Sequence, residues 1–97
     1  MNSLQHIKGS RFKDFVVEVK SHPLLGGIQV IIKFPNGYGA SVVMNGMSYG
    51  LELGVIKFDK NGIFALTCDT PVTDDVIGFI ENVNELDGIL EQIKNLA

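Results

Sequence analysis

The chain has 97 residues, 45% of them hydrophobic and 20% charged, with a formal net charge of −3. That length fits one domain spanning 1–97, and the apolar content excludes a disordered chain. The weak net charge gives no support to nucleic-acid binding, and no apolar run approaches the ~20 residues of a membrane span.

The opening stretch, Met1 to Lys8, has no apolar segment of the kind a signal peptide needs. The single cysteine, Cys68, cannot close an internal disulfide. Both features predict a cytoplasmic protein in a reducing compartment. Charge is unevenly spread along the chain. Residues 1–33 carry five basic groups against two acids, whereas residues 69–97 carry seven acids against Lys94 alone. An acidic helix face beside a mildly basic strand accounts for this, and a dipole steering a charged partner is the functional alternative.

From about residue 12 to 69 the pattern has a period of two, which predicts strands. Phe15, Val17 and Val19 alternate with Glu18 and Lys20, and Ile28, Val30, Ile32 and Phe34 share one face of the next strand. Asn36-Gly37 predicts a two-residue hairpin, because both residue types tolerate positive φ. Ala40–Met44 is the return strand, followed by Leu51–Phe58. Asn61-Gly62 predicts a second hairpin into Ile63–Cys68.

After Pro71 the apolar period lengthens toward 3.6. Thr73 as N-cap, with Asp74 and Asp75 at the positive end of the dipole, predicts a helix over about 74–81. Asn84, with Asp87 at the capping-box position, predicts a second helix over about 85–96. Its apolar stripe is Leu86, Ile89, Leu90, Ile93 and Leu96. The expected fold is therefore α+β: an antiparallel meander of about five strands with two C-terminal helices packed on one face.

Leu, Ile, Val and Phe together make up 35 residues, a large share for so short a chain. The helix stripe and one sheet face absorb most of them. The second face still carries Val16, Ile31, Val43, Ile56 and Phe58. Either the N-terminal segment (Leu4, Ile7, Phe12) covers it, or a second subunit does; a homodimer through that face is expected.

Motifs for catalysis are missing. There is no phosphate loop, HExxH, CxxC or GxSxG pattern. Gly37-Tyr38-Gly39 lacks the third glycine of a dinucleotide fingerprint and lies between strands, so it reads as a turn. His6 and His22 have no ligand spacing, and Cys68 has no adjacent base. Asp59-Lys60-Asn61-Gly62 starts like a calcium loop but lacks the later ligands. Asp69, Asp74 and Asp75 need no metal, since capping explains the last two. No catalytic residue, metal or cofactor is expected.

The most unusual stretch is a near-repeat, Asn36-Gly-Tyr38-Gly39 and Asn45-Gly-Met47-Ser-Tyr49-Gly50. Glycines leave each tyrosine ring accessible, and methionine adds adaptable apolar area. Tyr38, Met44, Met47 and Tyr49 are therefore the candidate partner-binding residues. The two tyrosine-bearing ends lie roughly 20 Å apart along an extended strand, which suits a flat protein interface better than a pocket.

At these residues the chain resembles a group of small uncharacterised proteins encoded by phages and prophages of Gram-positive bacteria. The likeness rests on Phe34–Val43, Ser48–Leu53 and Asp69–Phe79, within about residues 30–80. It implies a genomic setting, with the host cytoplasm as location, and carries no catalytic residue. The expected function is that of a small non-enzymatic interaction protein. It would bind and modulate a host or phage protein, inhibition of a host defence system being one form. The alternative is an oligomer that binds or sequesters a small molecule between subunits.

Overall fold

The computed structural model describes residues 3–21, 27–44, 51–67, 77–80 and 83–96. A short helix α1 (Ser3–Lys8) leads through a 3-10 turn (Lys13–Phe15) into the strands β1 (Val16–Ser21), β2 (Ile28–Lys33), β3 (Tyr38–Met44), β4 (Leu51–Phe58) and β5 (Phe64–Leu66). A sixth strand, β6 (Ile77–Ile80), precedes the helix α2 (Val83–Lys94). The five-strand antiparallel meander has the order β1-β2-β3-β4-β5. β6 joins it on the outer edge of β4, pairing with Leu51 and Leu53, while β5 pairs with Ile56 to Phe58 further along the same edge.

Cross-strand rows define the two faces, because directly opposed residues point the same way. Val30, Val42 and Leu53 form one row, and Ile32, Ala40 and Val55 the next. All six are buried in a cluster with Leu86, Ile89, Leu90 and Ile93 of α2. Fully burying each large aliphatic side chain contributes roughly 1.5–3 kcal/mol. The 3.6-residue stripe expected in the C-terminal helix is thus the surface that meets the sheet.

The expectation of two C-terminal helices is corrected. Residues 77–80 are a strand, and one helix follows them. Ile77, Phe79 and Ile80 are strand-favouring types, and the free edge of β4 supplies their hydrogen-bond partners. Here non-local pairing outweighs the local helix signals. Thr73, Asp74 and Asp75 lie outside the described residues. α2 begins at Val83, so Asn84 sits within its first turn rather than at the cap.

Strand β1 departs from simple alternation. Val16 opposes Ile32, yet Glu18 opposes Ile31 and Val19 opposes Val30, so Val17 is an extra bulged residue. Val16 therefore belongs to the helix side, while Glu18 and Lys20 lie on the other face. Phe15, Val17 and Val19 do not form the single stripe that the sequence pattern implies.

The N-terminal segment covers the helix side, not the second face: Ile7 and Phe12 are fully buried in the same cluster as α2. Ser10 fixes this path, its Oγ donating to the Ile7 carbonyl (2.8 Å) and accepting from the Phe12 N–H (3.1 Å). The second face is mixed. Lys20, Gln29, Val43 and Glu52 make one row, and Gln29 Nε2 donates to Ser41 Oγ at 2.8 Å. At its centre Ile31 and Ile56 are already buried within one chain. Among the described residues no helix is long and apolar enough to cross a membrane.

Candidate functional site

Both hairpins have the same local chemistry. In the first, Gly37 N–H donates to the Phe34 carbonyl (3.2 Å) and Phe34 N–H to the Tyr38 carbonyl (2.8 Å). In the second, Gly62 N–H donates to the Asp59 carbonyl (3.0 Å) and Asp59 N–H to the Ile63 carbonyl (2.8 Å). Gly37 and Gly62 have φ of 88° and 80°. Each loop is therefore a three-residue turn closed by a left-handed glycine, not the two-residue turn expected from Asn-Gly.

Their surroundings differ. Asn36 Nδ2 lies within hydrogen-bond distance of the carbonyls of Ile93 (2.9 Å), Lys94 (3.0 Å) and Leu96 (3.1 Å). Ile93 and Lys94 lie in the last turn of α2, whose carbonyls lack intrahelical partners, and Leu96 lies just beyond the helix. Asn36 Oδ1 meanwhile accepts the Tyr38 N–H at 3.0 Å. The first hairpin is thus clamped to the C-terminus of α2. The second closes on itself: Asp59 Oδ1 accepts the N–H groups of Asn61 (2.8 Å) and Ile63 (3.0 Å). Its tip, Lys60 to Ile63, is exposed.

Apolar surface stays open on this second hairpin. Ile63 is 66% exposed and Leu66 53%. Phe58 and Phe64 oppose each other across β4 and β5, their ring centroids 5.4 Å apart. Gly39 makes room for this stack, since a Cβ there would collide with the Ile32 carbonyl and come within 2.9 Å of the Phe58 ring. That is the reason for a glycine which in sequence only suggested a turn. Lys33 Nζ lies 5.2 Å from the Phe58 centroid. A shallow, open hollow is lined by Lys57, Phe58, Asp59, Ala65, Leu66 and Thr67. Lys33 adds a positive charge over this aromatic and aliphatic ridge, whereas Lys57 opposes Tyr38 and turns its ammonium to the Tyr38 ring on the other face.

The four residues expected to bind a partner are not brought together by what is described. Tyr38 packs half-buried against the helix-side core, with Lys57 Nζ 5.4 Å from its ring centroid. Met44 ends the seven-residue strand that Tyr38 begins, and its side chain lies outside the described part. Met47 and Tyr49 lie outside the described residues, as do His22, Cys68 and Asp69. The Phe58, Ile63, Phe64, Leu66 ridge is not among those four residues, although Phe58 belongs to the second face whose apolar residues call for a cover. Its sequence signal was apolar residues on both sides of the last meander strand.

The uneven charge has a structural use. His6 Nε2 meets Asp87 Oδ1 at 2.9 Å, and Arg11 Nε donates to Glu91 Oε2 at 3.3 Å. Both pairs join the basic N-terminal segment to the acidic helix. The Asp87 carboxylate thus faces His6 rather than a capping box. Comparison of the chain with family models, curated proteins and solved structures returns no match.

Proposed function

We propose that the protein is a small non-enzymatic interaction protein whose β4–β5 hairpin docks onto another protein and modulates it. The observation that carries this reading is the open apolar ridge, with Ile63 and Leu66 more than half exposed beside the Phe58–Phe64 stack. Aromatic side chains, phenylalanine included, are enriched at the cores of protein interfaces, and an open apolar patch marks a site of interaction. The hairpin is also held in shape before binding by Asp59 and by the left-handed Gly62, which lowers the ordering cost of docking. Lys33, over the Phe58 ring, favours a partner with an acidic group beside an apolar patch. The resemblance to phage and prophage proteins suggests a host or phage protein as that partner, a host defence protein being one form.

The test is a double variant, Ile63→Asp with Leu66→Asp, compared with the parent chain in quantitative affinity purification from host lysate. Both side chains are exposed, so the melting temperature should stay nearly constant. Partners enriched by the parent chain should be lost. Equal capture by both chains would remove the hairpin from the reading.

A further inference from the structure

The outer edge of β1 has no neighbouring strand among the described residues, and its sequence is self-complementary. Glu18 and Lys20 flank Val19, all three are exposed, and both charges lie on the face opposite α2. An antiparallel copy of the same strand, centred on Val19, sets Glu18 of each copy opposite Lys20 of the other. Val19, 42% exposed on the helix side, then meets its own counterpart. Opposite charges directly across an antiparallel pair stabilise it, and like charges there destabilise it. A two-fold axis through Val19 satisfies both charge pairs at once, as an isologous contact requires.

We propose that β1 pairs with β1 of a second copy of this chain, joining the two sheets into one with both helical layers on the same side. The occupant is a second copy because the charge pattern matches itself in this register. A shift of one residue places Glu18 opposite Ser21 or Val19 and loses the pairing. The bulge at Val17 ends the regular ladder, which limits the contact to a few residues and makes the dimer a weak one. The contact is separate from the β4–β5 ridge, which lies on the opposite edge of the sheet.

Sedimentation equilibrium across micromolar to high micromolar concentration tests this on the full chain. The parent chain should dimerise reversibly. Lys20→Glu alone, or Glu18→Lys alone, sets like charges opposite each other twice and should weaken the dimer by about tenfold or more. The double variant Glu18→Lys with Lys20→Glu restores both pairs and should recover dimerisation. Both side chains are exposed, so folding, followed by circular dichroism, should be unchanged in all three. A parent chain that stays monomeric overturns the proposal. So does a dimer that either single reversal leaves intact, since its contact must then lie elsewhere.

Discussion

The two hairpins share a three-residue turn ending in Asn-Gly, yet one is a structural lock and the other an open ridge. Asn36 reaches across 57 to 60 positions to the last turn of α2 and to Leu96 beyond it, whereas the second turn is held by its own Asp59. The Asn61 side chain makes no hydrogen bond among the described residues. The turn pattern therefore determines the local backbone and leaves the role of the loop to whatever packs against it. A helix end packs against the first loop. The second is left facing solvent, with apolar side chains beside it.

The largest expected effect separates the two asparagines. Asn36→Ala removes the donor to three helix-end carbonyls and should cost roughly 2 kcal/mol, read from urea denaturation midpoints. Asn61→Ala should stay within about 0.5 kcal/mol. Equal losses would erase the contrast. A middle effect probes what the hairpins share. Gly37→Ala and Gly62→Ala each place a side chain at positive φ with open space around it, and each should cost about 1 kcal/mol. Unequal costs would mean that the turns differ in strain as well as in surroundings. The smallest effect is a gain. Gly88 lies in α2, where an added Cβ meets nothing within 4 Å, so Gly88→Ala should stabilise the chain by about 0.5–1 kcal/mol. Thermal melts would register it as a higher midpoint, and a lower midpoint would mean that the position needs glycine.

Much of the fold was legible in the sequence because its signals are local. Alternation and the two Asn-Gly turns define the meander, and the Leu86 to Leu96 stripe defines α2. Three features depend on distant partners and leave no local trace. The bulge at Val17 appears only in the pairing with β2. β6 forms where the Thr73-Asp74-Asp75 signals pointed to a helix, because the edge of β4 was free there. The lock at Asn36 and the His6–Asp87 pair join positions far apart in the chain. The candidate site was legible only in part. The Tyr38 ring, accessible by its glycine flanks, is instead half-buried against the core. The ridge on β4 and β5 carried a weaker signal, apolar residues on both faces of a short strand.

On the proposed reading the second hairpin, and not the first, meets a partner. Site-specific photocrosslinking tests it directly, with the photoreactive residue placed either at Ile63 or at Pro35, an exposed position of the first turn. A covalent adduct to a partner protein is expected from position 63 and none from position 35. Adducts from position 35 alone, or equally from both, would contradict it.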